Sequence, residues 1–128
     1  MKRTLDKKQS ILVLLLMSIF SLFIVIFSFK VLNQAKDLNL QADMSQVNVS
    51  LIEYYIENNI FPTEKLCNLK CDCLNFKKAI SILIDEDIYY NSNEKDYILY
   101  SPSFVNDKIY YVTGPDLIMT KTPEVPQL

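Results

Sequence analysis

SILVLLLMSIFSLFIVIFSF, residues 10–29, runs for twenty positions without a charge. A helix of that length rises by roughly 30 Å, the thickness of a bilayer's hydrocarbon core. Its polar residues are Ser10, Ser18, Ser21 and Ser28, whose hydroxyls can bond back to a carbonyl one turn earlier. A cleaved secretory signal has a shorter apolar core, about 7–15 residues, followed by a small-x-small site. Phe27-Ser28-Phe29-Lys30 offers no such site, so the run reads as a retained membrane anchor.

The flanks set its direction. Lys2, Arg3, Lys7 and Lys8 precede the run against a single acid, Asp6, whereas residues 30–128 hold the other 14 of the 15 acids. The positive-inside rule keeps such an N-terminus cytoplasmic and sends the remainder across. About a hundred residues then lie outside, enough for one small domain. That exported part is acidic, which disfavours a nucleic-acid partner. Gly114 is the one glycine, so Gly-rich phosphate loops are excluded, and no small-molecule substrate is evident.

The helical pattern continues past Lys30. Leu40, Met44, Val47, Leu51 and Tyr54 follow at spacings of four, three, four and three, one stripe down a helix. Val49, Ile52 and Ile56 widen it, and Lys36, Asp37, Asp43, Gln46, Glu53 and Glu57 fall mostly on the remaining surface. No Gly or Pro occurs before Pro62, so nothing obliges the helix to break. From residue 10 to residue 58 it would measure roughly 74 Å. Asn58-Asn59 can supply a left-handed cap, and Pro62 follows. A polar helix with one apolar face needs a partner, and the C-terminal head is the candidate.

Residues 63–75 read as an irregular or short-helical connection. Residues 75–84 resemble a short amphipathic helix through Phe76, Ala79, Ile80 and Leu83. Beyond Asp85 lie β-prone runs: Ile88-Tyr89-Tyr90, Tyr97-Ile98-Leu99-Tyr100 and Ile109-Tyr110-Tyr111-Val112. Asn91-Ser92-Asn93-Glu94 and Asn106-Asp107 separate them with turn chemistry. Leu117-Ile118-Met119 is a candidate fourth strand. The fold class is therefore α+β: a long N-terminal helix, half transmembrane and half amphipathic, packed on a small antiparallel β-sheet. The segments are a cytoplasmic basic stretch (1–9), a transmembrane helix (10–29), an amphipathic continuation of the stem (30–59), an exported head (60–121) and a frayed or extended tail (122–128).

Candidate chemistry is sparse. Cys67, Cys71 and Cys73 all fall in the exported part, where an oxidising compartment favours a disulfide. Cys71 and Cys73 are too close together for an easy bridge, so Cys67 pairs with Cys71 or with Cys73. Free thiols are one alternative. A metal site is another, although with no histidine it would need the three cysteines plus Asp72. Lack of histidine also removes the commonest general base, and no enzyme activity is expected.

The succession Ala42-Asp43-Met44-Ser45-Gln46-Val47, Leu51-Ile52-Glu53-Tyr54-Tyr55-Ile56-Glu57-Asn58-Asn59 and Phe61-Pro62-Thr63 resembles the helix end of type IV pilin-like proteins. It is most similar to the major pseudopilins of type II secretion, and the strand pair 97–100 and 109–112 looks like the pilin sheet. This resemblance implies a subunit that waits in the membrane on its apolar helix and packs helix against helix on assembly. Its partners would be membrane lipid and other pilin-like subunits or the secretion or pilus machinery, in a bacterial inner (cytoplasmic) membrane. Leu40, Met44, Val47, Leu51, Tyr54, Phe61 and Pro62 would then serve assembly and head packing, with Tyr54 or Tyr55 burying its ring under the sheet. Pseudopilin heads often hold calcium, for which Asp85, Glu86 and Asp87 are the candidates, with Asp107 or Asp116 nearby; a solvated turn is the plain alternative.

The chain departs from the pilin pattern in front of the run. Prepilins carry a glycine there, after which a peptidase cuts, and a glutamate near the start of the mature helix. Aligned backwards from Pro62 without gaps, Thr4 takes the glycine position and Gln9 the glutamate position. Residues 1–9 are thus expected to stay attached, which suits a membrane-resident relative or a minor component. Three readings remain: a pilin-like subunit, a signal-anchored head that binds another envelope protein, and a cysteine-based redox or metal module.

Overall fold

The computed structural model describes residues 6–128. Its first element, α1, is a single helix over Lys7–Asn58. The head follows with β1 (Cys67–Asn68), α2 (Leu74–Ala79), β2 (Tyr89–Ser92), β3 (Tyr97–Pro102), β4 (Tyr110–Thr113) and β5 (Thr120–Thr122). The strands pair in chain order, β1-β2-β3-β4-β5, and every pairing is antiparallel. The architecture is the expected α+β arrangement of one long N-terminal helix on an antiparallel sheet. Lys2 and Arg3 of the expected basic stretch lie outside the described residues.

α1 is unbroken because nothing in it removes a backbone donor or frees a φ angle. It ends at Asn59, whose left-handed φ of 62° turns its N–H onto the Tyr55 carbonyl at 2.7 Å. The helix has two environments. Its most apolar window, of mean hydropathy 3.0, touches no other part of the protein and is long and apolar enough to cross a membrane. Ser18 and Ser28 in that stretch bond back to the Leu14 and Ile24 carbonyls at 2.9 and 2.8 Å, so their hydroxyls are satisfied without water. Farther along, Leu40, Met44, Val47 and Leu51 are fully buried under the sheet.

The sheet's inner face meets that stripe with Tyr90, Tyr97, Leu99 and Tyr111. Phe61 leads into the head between Tyr55, stacked at 4.6 Å, and Tyr97, edge-on at 4.8 Å. On the outer face Tyr89 stacks on its register partner Tyr100 at 5.1 Å, and Tyr110 closes edge-on at 5.9 Å. Cross-strand aromatic pairs of this kind stabilise a sheet by about 0.5–1.5 kcal/mol each.

Several local expectations shift. The helix expected over 75–84 is the shorter α2, which stops when the β-branched Ile80 turns extended (φ −130°, ψ 123°). Leu83, expected on its apolar face, is 88 % exposed, while Ile80, Ile84 and Ile88 are buried along an irregular connection. Asn91 and Ser92 belong to β2 instead of a turn, and the bend comes later, where Asn93 Oδ1 accepts the Lys95 and Asp96 N–H groups. The last strand is not 117–119. Leu117 takes a left-handed φ of 62° and closes a turn onto the Gly114 carbonyl, delaying pairing to Thr120. The tail expected to begin at 122 therefore starts inside β5. Val49 and Ile56 do not widen the buried stripe but stand exposed, whereas Asp37, expected outside, is buried.

Candidate functional site: the joint between stem and head

Two buried polar clusters fasten the head to α1. Asp37 sits one turn before Leu40 on the buried stripe, so its carboxyl faces the sheet. It accepts from the Ser103 hydroxyl, from the Phe104 N–H at 2.6 Å and from the Tyr111 hydroxyl at 2.9 Å. A carboxyl buried against these donors is satisfied, and without them it would be very costly to bury. Burial, and then the Asp37 carboxyl, push the Tyr111 hydroxyl above the ordinary tyrosine pKa, so it stays a donor. One cluster thus ties α1 to β4 and to the loop after β3.

Asn48 makes the second tie three turns farther on. Its amide donates to Thr113 Oγ1 at 2.7 Å and its carbonyl accepts the Tyr97 hydroxyl at 2.7 Å. Both ends of one side chain are used, and no described buried side-chain polar atom lacks a partner. Burial pushes the Tyr90 and Tyr97 hydroxyls well above the tyrosine range. The stripe periodicity carries a signal for Asp37, since 37, 40, 44, 47 and 51 keep the three-four spacing. Asn48 lies beside Val47 on the same face, but its amide chemistry gives no hint of burial.

The Phe61-Pro62 turn is the third fastening. Tyr90 and Ser92 both donate to the Pro62 carbonyl at 2.6 Å, and Glu64 pairs with Ser92 through its backbone. Pro62 and Phe61 are both buried. Tyr54 is half-buried and packs against the core, and Tyr55 is more exposed and lies on Phe61. The rings wholly under the sheet are Tyr90 and Tyr97, not those of the helix.

Of the cysteines, Cys67 and Cys73 form the disulfide, with Cα atoms 5.5 Å apart, and Cys71 is left free and exposed. The bridge joins β1 to the residue preceding α2 and so closes the connection after the stem. Hydrogen bonding with Asp72 heads the causes that push the Cys71 thiol up, away from the reactive thiolate. The acids of 85–87 scatter. Asp87 accepts from the Asn68 amide at 2.9 Å, and Asp85 is exposed. Burial first, and then Asp43 of α1, raise the pKa of Glu86. Among the described residues no group of three or more His, Cys, Asp or Glu gathers to hold a metal, so these acids do not converge as a calcium cluster.

A shallow groove of about 440 Å³ lies beside the first tie, between α1 at Gln34, Leu38 and Gln41 and the head at Val105 and Ile109. The charged groups on its walls are engaged, Asp37 by its donors and Lys121 over the Tyr111 ring at 5.4 Å. The arrangement fastens α1 to the head through buried hydrogen bonds. No protein-family model, no curated protein and no solved structure matches the chain.

Proposed function

We propose that the chain is a pilin-like structural or accessory subunit of a type II secretion or type IV pilus system, single-pass in the bacterial inner membrane with its N-terminus cytoplasmic. The observation that carries this is α1: one helix of 52 residues whose apolar window is bare of protein while its distal third is clamped under a sheet. Such a helix is a bilayer anchor and a helix-packing surface in one piece. The Asp37, Asn48 and Pro62 fastenings let a force on the head reach the span without a hinge.

A photo-reactive residue at Phe20 or Phe23, in cells that secrete, tests it. The expected product is a species of twice the chain mass, or a conjugate with another single-span subunit. If the label meets lipid alone under those conditions, assembly through the helix is refuted.

A second reading has its own observation. No glycine and no glutamate precede the run, and Lys7 and Lys8 already lie in the first turn of α1, where a processed apolar stem would start. This favours a permanently anchored head that binds another envelope protein. Conjugates formed from head positions, with none from the span, are its signature.

A further inference from the structure

α1 carries a second apolar stripe, on the side away from the head. Ser21, Ser28, Ala35, Ala42, Val49 and Ile56 recur every seven residues. Ile24, Val31, Leu38, Ser45 and Ile52 form a companion column, offset by three and four. Outside the apolar window this face is open: Leu38 is 67 %, Val49 52 % and Ile56 71 % exposed, with Ile52 half-covered by the head. Leucine, valine and isoleucine repeated on a polar-flanked face have no reason to remain in water.

The period identifies the geometry of what covers it. A strict seven-residue repeat drifts about 20° per heptad on a straight helix, and two helices that follow it coil left-handed around each other. The seam does not stop at the membrane surface. Ser21 and Ser28 continue the Ala35–Ala42 column downwards, with the Ser28 hydroxyl already bonded to the Ile24 carbonyl, and small residues are what lets helices approach in lipid. An occupant must therefore present a helix through the bilayer and about 40 Å beyond it.

We infer that this occupant is a second copy of the chain, parallel and in register, paired along 21–56. The inference rests on the reading of α1 as a membrane span. Insertion in one direction makes two copies parallel. The residues bordering the seam are Gln34 and Gln41 on one side and Asn39, Gln46 and Glu53 on the other. A copy therefore meets amides, which both donate and accept, over most of the length, and the Glu53 carboxylates of a parallel pair lie on opposite flanks and do not face each other. Lys36, Asp43 and Glu57 stand outside that border. The head, held by Leu40, Met44, Val47 and Leu51, sits on the opposite side of the helix and reaches the seam's flank at Asn48 and Ile52, leaving Leu38, Val49 and Ile56 open to approach.

Single cysteines in a Cys71→Ser background, joined by a short thiol-to-thiol crosslinker in native membranes, test the pairing. Ala35→Cys, Ala42→Cys and Val49→Cys should crosslink at least about tenfold faster than Lys36→Cys and Glu57→Cys, which are exposed too. A flat profile along the helix overturns the pairing. So does crosslinking only between different positions in mixed variants, since that is a staggered arrangement. Val49→Glu should abolish the Ala42→Cys product while leaving the near-ultraviolet tyrosine signal of the head unchanged; a product that survives it also overturns the pairing. Resistance of the chain to carbonate extraction is scored on the same membranes. Its loss refutes the span, whereas a firmly inserted chain without seam crosslinks refutes the pairing alone.

Discussion

Replacing Asp37 by alanine removes the acceptor of the lower tie and leaves the Ser103 hydroxyl, the Phe104 N–H and the Tyr111 hydroxyl to find others. Hydrogen bonds to a charged group are worth about 1.5–3 kcal/mol each, so the simple total is about 6 kcal/mol. The true figure is smaller. Phe104 is 44 % exposed, so its loop can admit water, and Ser103 Oγ keeps its own contacts with the Val105 and Asn106 N–H groups. Tyr111 is the donor that stays buried. A loss of about 3 kcal/mol follows, the upper end of what leaving one buried donor unsatisfied costs. For a head of this size that is a fall of roughly 12 °C in Tm. The assay is near-ultraviolet dichroism of the full chain in detergent micelles, where tyrosines of the head report packing and the helical signal of the stem does not interfere. Asp37→Asn keeps one acceptor oxygen and should lose about half as much. A Tm for Asp37→Ala within about 2 °C of the parent would refute the reasoning, because it would mean that the tie carries no load.

Three further outcomes are expected. Without reductant, thiol labelling should modify Cys71 alone, and Cys67→Ser/Cys73→Ser should lose about 2 kcal/mol by the loop-entropy relation for a short loop; labelling of every cysteine without reductant would contradict the pairing. Tyr90 and Tyr97 have folded-state pKa values raised above the unfolded value near 10, so the stability they contribute is complete below about pH 10 and is lost as pH rises beyond it. Each should lower stability by about 1.4 kcal/mol per pH unit there, read from denaturant midpoints, and a flat profile from pH 9 to 11 would refute it. Glu86 also has a raised pKa, from burial and Asp43, so its carboxylate works against the fold above the usual glutamate range. Glu86→Gln should stabilise the head by about 0.5 kcal/mol at neutral pH and have no effect near pH 3; equal effects at both would show that the charge of the carboxylate is not the cause.

The long-range parts of the fold were legible where the physics is local and repeated. Absence of Gly and Pro before Pro62, one apolar run and one three-four stripe are enough to draw α1 and its buried side. Three strands announced themselves through paired aromatics. β1 did not, because Cys67 and Asn68 are strand only by virtue of pairing with Tyr90 and Tyr89. β5 was displaced because Leu117 spends its position on a left-handed turn that its side chain does not advertise. Asp37 misled most, since its carboxyl is buried by donors that lie more than sixty residues away. The disulfide was narrowed to two pairings by spacing, and the path from β1 to α2 selects Cys67 with Cys73.

Assembly through the helix requires that the stem reach from the apolar run to the head without a joint. Spin labels at Phe29→Cys and Ile56→Cys, in a Cys71→Ser background diluted with unlabelled chain in lipid nanodiscs, measure this directly. Twenty-seven residues of continuous helix predict a single narrow distance near roughly 40 Å. A broad distribution, or a main population well below that length, would show a hinge between span and head and contradict the rigid stem on which the proposed function depends.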